Sequence, residues 1–141
     1  MFLNAGFILN AAMPTLDNTF TFVAHATSIK NNAGTPAPPF VLPGTGVHMA
    51  GGQSMPPFGP PGTAHRNTLS VSFHGATIED NGGGYDINAY GGHSFYPSLT
   101  PVGTFNTAKL YLHGVSKKAS VRAINSVPAE PAGTNTVAVY R

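Results

Sequence analysis

The chain has 141 residues, 9% of them charged, a formal net charge of +2 and no cysteine. That length fits one domain, and the lack of cysteine excludes a disulfide frame, a thiolate metal site and a thiol nucleophile. The only dense basic run is Lys117-Lys118 with Arg122, so no nucleic-acid partner is expected, because such recognition needs a basic stripe.

Residues 1–16 read as an apolar N-terminal arm. Met1–Met13 lacks a basic n-region, is interrupted by Asn4 and Asn10, and falls short of the ~20 apolar residues of a span. It is therefore predicted to be neither signal peptide nor membrane anchor, and no membrane partner is expected. A short strand is possible at Phe7–Asn10, and Pro14 ends the arm. Residues 17–141 then form a single β domain. In 19–29 Phe20, Phe22, Ala24 and Ala26 alternate with Thr19, Thr21, Val23, His25 and Thr27, which predicts a strand with one buried face.

Between Lys30 and Arg66 there is no Asp, Glu, Lys or Arg. Residues 31–65 are rich in Pro and Gly, and contain one pattern twice: Pro38-Pro39-Phe40-x-x-Pro43-Gly44-Thr45 and Pro56-Pro57-Phe58-x-x-Pro61-Gly62-Thr63. Polyproline II and turns are expected. A structureless segment this long is usually functional. Proline pre-sets φ, which lowers the entropy lost on docking, and each copy presents one phenylalanine. Phe40 and Phe58, with Phe2, Phe7, Ile8 and Leu9 of the arm, are the predicted interface residues, each apolar side chain contributing about 1.5–3 kcal/mol when fully buried.

Residues 68–78 form the next strand, with Leu69, Val71 and Phe73 inward. Glu79–Gly84 is a turn, 85–90 a short strand broken by Gly91-Gly92, and 107–115 a strand. Ser116-Lys117-Lys118 is read as the turn of a hairpin to 119–127, and 134–140 closes the domain. No window has helical periodicity. The expectation is an all-β sandwich or jelly-roll-like barrel of about six to eight strands.

No motif names a reaction. His25, His74 and His113 lie on predicted strands and are candidates for a facial metal site, but no short His spacing supports one, and no metal or other cofactor is expected. Glu79-Asp80-Asn81 with Asp86 lacks the pattern of a calcium loop. Gly92-His93-Ser94-Phe95-Tyr96 lacks the closing glycine of a nucleophile elbow. The reading is a protein that is not an enzyme. Tyr85, Tyr90, Phe95 and Tyr96, with Asp86, Asn88 and His93, suit an alternative, a carbohydrate- or ligand-binding β module.

As a whole the chain resembles small bacteriophage capsid decoration, or cement, proteins. The resemblance rests on the apolar Met1–Met13, the uncharged 31–65 and a Thr-, Asn- and Gly-rich β body. It implies a virion protein, assembled in the host cytoplasm, that binds the major capsid protein or other virion subunits as a homo-oligomer, with a trimer favoured. A phage tail or collar protein is the other structural alternative.

Overall fold

The computed structural model describes residues 1–8, 15–32, 36–37, 40–41, 45–54, 64–82, 84–94, 103–116, 118–127 and 134–141. Among them are strands and turns and no helix, in line with the expected all-β class.

The strands recur in a fixed order. A first coil holds β1 (Phe2–Ile8), β2 (Thr15–Leu16), β3 (Thr19–His25) and β4 (Ser28–Lys30). A small antiparallel pair follows, β5 (Pro36–Ala37) and β6 (Phe40–Val41). The second coil repeats the first as β7 (Val47–Ser54), β8 (Ala64–His65), β9 (Thr68–His74) and β10 (Thr77–Glu79). A third contains β11 (Ile87–Ser94) and β12 (Thr107–His113), and a fourth β13 (Val121–Val127) and β14 (Thr136–Tyr140).

Like strands stack on like. One four-stranded sheet has the order β1-β7-β11-β13 and a second the order β14-β12-β9-β3. Every pairing in both is parallel, with Phe2, His48, Asn88 and Arg122 in one column and Thr19, Thr68, Thr107 and Thr136 in another. The chain therefore winds as a β-solenoid in which each coil adds one strand to each sheet.

This corrects the expected topology. Sandwiches and jelly rolls of the expected kind are built from antiparallel neighbours. The expected hairpin of 107–115 with 119–127 does not form: β12 lies between β9 and β14, and β13 lies on β11. Between β12 and β13 the chain crosses to the other sheet instead of turning back.

Two further expectations change. Phe2–Ile8 is not a free arm but strand β1, paired along its length with β7; the Met1 ammonium donates to the Gly46 carbonyl at 2.8 Å, and Leu3 joins the core. Within 31–65, Val47–Ser54 is a central strand, and Val47 and Met49 are fully buried.

The core lies between the two sheets. Inward positions stack in columns: Phe20, Leu69, Ala108 and Val137 form one, and Phe22, Val71, Leu110 and Val139 the next. Leu69, Val71, Ala108 and Leu110 are fully buried, and Phe22 meets Phe73 edge to face with ring centroids 6.1 Å apart. The strands β9 and β12 bury one face only, whereas β7 and β11 are buried at every position described.

Left-handed corners repeat in the first three coils. Asp17, Arg66 and Phe105 have φ of 57°, 53° and 61°. Ala26, Gly75 and Gly114 form a second such column, with φ of 49°, 61° and 61°. Gly91-Gly92 does not break its strand, because β11 runs through it. A Cβ on Gly91 would sit 2.6 Å from the Asn125 carbonyl oxygen and from the backbone N and O of Thr136. The two sheets come too close there for any side chain.

Candidate assembly surface and histidine clusters

The coils are tied together by an asparagine ladder at the corner preceding each strand of the second sheet. Asn18 donates its backbone N–H and its Nδ2 to Asn67 Oδ1, at 3.1 and 2.9 Å. Asn67 does the same to Asn106 Oδ1, and Asn106 to Asn135 Oδ1. In the last three, Nδ2 also donates to a backbone carbonyl, from Asn67 to Thr15, Asn106 to Ala64 and Asn135 to Gly103. Asn67, Asn106 and Asn135 are buried, so these bonds are what make their burial tolerable.

Both ends of the ladder are open. Among the described residues no donor reaches Asn18 Oδ1, and the Asn135 N–H has no acceptor. No described strand lies beyond β3 or β1 at one end, or beyond β14 or β13 at the other. Inward side chains are uncovered there: Phe20 is 41% exposed, while Leu69, next in its column, is 0%.

The outer face of the second sheet carries a histidine column. His25 and His74 stack with ring centroids 4.7 Å apart and planes 15° from parallel; His74 and His113 do so at 4.7 Å and 18°. The structure thus places the three predicted histidines on adjacent strands, but as a stack. One zinc ion would need nitrogens within about 2.1 Å, so no two ligands can be more than about 4.2 Å apart. Corresponding nitrogens of parallel rings at this spacing exceed that, and His25 and His113 are two spacings apart. Desolvation, then the neighbouring His113 and His25, hold the His74 imidazolium pKa below its usual value.

A second cluster lies on the first sheet and joins Tyr90, Asn88 and His93 of the alternative binding reading to His48 and Gln53, which sequence reasoning does not place with them. Gln53 Nε2 is 3.3 Å from both His48 Nε2 and His93 Nδ1. The Tyr90 ring lies 5.2 Å from His48 and 4.4 Å from His93. Burial drives His48 to about 3, with help from His93 and the N-terminal ammonium. It drives His93 to about 4, with help from Arg122. Both imidazoles are therefore neutral and can accept from the Gln53 amide. Burial also raises the Tyr90 phenol. Among the described residues Gln53 Oε1 and Asn88 Oδ1 are buried without a partner. The positive charge of Arg122 makes this a poor place for a cation. Among the described residues no group of three or more His, Asp or Glu could hold a metal.

A signal for this cluster was present in the sequence: Val47-His48-Met49-Ala50-Gly51-Gly52-Gln53-Ser54 and Ile87-Asn88-Ala89-Tyr90-Gly91-Gly92-His93-Ser94 are two copies of one strand.

The predicted acidic patch is divided. Glu79 pairs with Lys30 at 2.7 Å. Asp86 accepts from Asn81 N and Nδ2 through Oδ1, and from Ser120 N and Oγ through Oδ2. Burial raises the Asp86 carboxyl, but these hydrogen bonds outweigh it and leave its pKa below the ordinary value. With Asp86 committed and Tyr90, Asn88 and His93 buried, these residues offer no exposed sugar platform.

Of the predicted interface residues, Leu9 and Phe58 lie outside the described residues. Phe2, Phe7 and Ile8 belong to β1 and Phe40 to β6. Phe95 and Tyr96 also lie outside.

No family model, curated protein or solved structure matches this chain.

Proposed function

We propose that the protein is a non-enzymatic structural subunit of a virus particle, sited where subunits stack along an axis, as in a tail or collar. The observation that carries the reading is the pair of open coil ends. A solenoid usually needs polar caps at its ends, and unpaired strand edges are templates for another chain. Here the ends carry apolar side chains such as Phe20 and Tyr140. A chain with 9% charged residues adds little repulsion between packed subunits.

Capsid decoration by a reaching arm is less well supported, because β1 makes its backbone bonds within its own chain. Contacts at the coil ends join unlike surfaces, and joins of that kind build rings or linear stacks. They favour a stack over the compact trimer expected from the resemblance.

The test is to raise antibodies to the protein, purify virus particles on a density gradient from cultures that express it, and locate the protein by immunogold labelling. Label at the tail or collar is expected. Particles without the protein would overturn the virion reading, and label spread over the shell would overturn the axial placement.

A further inference from the structure

We infer that the chain stacks head to tail on a second copy of itself, with the outer edge of β14 pairing in parallel with the outer edge of β3. This rests on the structural-subunit reading and names its partner. The two ends are unlike, and each carries what the other lacks.

The backbone pattern comes first. At each junction the threonine that follows the ladder asparagine donates its N–H to the asparagine carbonyl one coil back. Thr68 donates to Asn18, Thr107 to Asn67 and Thr136 to Asn106, at 2.8, 2.8 and 2.9 Å. The next bond in the series needs an Asn carbonyl above Thr136 and a Thr N–H below it. Asn135 supplies the first at one end of the molecule, and Thr19 supplies the second at the other.

Strand alternation extends the match. The Asn18 carbonyl and the Ala26 N–H both turn toward the second coil, so the backbone groups of Thr19, Thr21 and Val23 turn to the open edge. The Thr136 N–H turns toward the third coil, so those of Val137 and Val139 turn outward. The Val137 N–H donates to the exposed Asn125 Oδ1 at 3.1 Å and exchanges that bond for a partner carbonyl on pairing. In a parallel pair these two sets interleave as donors and acceptors.

Side chains agree with the same alignment. It places the Asn135 N–H toward the Asn18 Oδ1. The Asn135 Nδ2 already donates to the Gly103 carbonyl and to Ser126 Oγ, so only the backbone half of the ladder rung is repeated. On the outer face it places Val23, 51% exposed, over Tyr140, 47% exposed. Tyr140 already stacks on Tyr111 through one ring face, with centroids 4.7 Å apart. On the inner face Phe20 joins the column that ends at Val137. β1 and β13 carry the first sheet across the same junction. Two copies meeting through identical ends would satisfy none of these pairings.

The chain has no cysteine, so an engineered pair reads the contact directly. Val23→Cys and Tyr140→Cys alter exposed positions and leave the core intact. Paired in parallel, the two sites fall within the 4.4–6.8 Å Cα separation that a disulfide spans. Under mild oxidation, a mixture of the two variants should form the mixed disulfide, and each variant alone should form none. Sedimentation velocity of the wild-type protein should show species that grow with concentration, and Val23→Lys should weaken that association roughly tenfold.

Disulfides within a single variant, or a wild-type protein that stays monomeric together with a variant mixture that gives no mixed disulfide, would overturn the inference. Immunogold label at the tail or collar with no mixed disulfide would remove the self-stacking alone. A mixed disulfide with no label on particles would remove the virion reading alone.

Discussion

Phe20 and Leu69 stand in the same column, on the same inward face, at the same step of their coils. One is 41% exposed and the other is fully buried. Nothing in their own chemistry accounts for this; the difference is that Leu69 has a coil on either side and Phe20 has one. The middle coils therefore hold the stability of the molecule, whereas the end coils hold its unused contacts. In a solenoid, burial is a property of position in the stack before it is a property of sequence.

The comparison breaks most severely in acid. His48 and His93 belong to the middle coils, and burial lowers their folded pKa values to about 3 and about 4 from 6.5. Below pH 6.5 the unfolded chain binds protons that the folded chain refuses. Stability is thus fully present above pH 6.5 and falls as the pH drops toward 4. The slope approaches ~1.4 kcal/mol per pH unit for each histidine, for a total on the order of 5 kcal/mol by pH 4. Asp86 adds its own loss only at lower pH, as its depressed carboxyl becomes protonated. Urea midpoints measured from pH 7 to 4 should fall steadily. A flat profile would mean that the two imidazoles are not buried in the folded state.

Next in size is a paired truncation. Phe73→Ala, in the second coil, removes a fully buried ring and is expected to cost about 3–5 kcal/mol. Phe20→Ala, in the first coil, should cost about 1–2 kcal/mol, because much of that ring is already in water. Denaturant melts of dilute protein give both values. Equal losses would mean that the first coil is covered in solution even in the single chain, and the contrast between middle and end would disappear.

Much of the second sheet was legible in the sequence. Residues 19–29, 68–78, 107–115 and 134–140 each contain a strand, β3, β9, β12 and β14, although the first three ranges also run past the corners at Ala26, Gly75 and Gly114. Of the first sheet, 119–127 was legible as a strand and 85–90 as the start of β11. The rest was not, because β7 and β11 are buried on both faces and so lose the alternation. Their Gly-Gly pairs read as breaks, although at Gly91 the close approach of Asn125 and Thr136 is what demands glycine. Alternation also says nothing about whether neighbours run parallel.

The repeat that would have decided the matter is present as Asn-Thr at 18, 67, 106 and 135, with His at 25, 74 and 113. Successive ladder asparagines are 49, 39 and 29 residues apart. The connecting segments shorten from coil to coil, so no fixed period signals a solenoid. The same irregularity hid the histidine stack. Three adjacent strands could be inferred, but face-to-face rings follow only from exact stacking of one coil on the next.

The smallest expected effect tests whether an end coil is strained as well as uncovered. Ala26 holds φ of 49° at the corner where the second and third coils have Gly75 and Gly114. A Cβ in that region clashes with the following carbonyl, which costs about 1–2 kcal/mol, and glycine avoids this. Glycine also loses more chain entropy on folding, which takes back part of the gain. Ala26→Gly should therefore raise stability by about 0.5–1 kcal/mol, read as a higher urea midpoint with an unchanged slope. The side chain is exposed, so no packing is lost to obscure the result. A lower midpoint would show that the first coil is held at this corner less firmly than its two neighbours, with alanine's smaller entropy loss outweighing the strain.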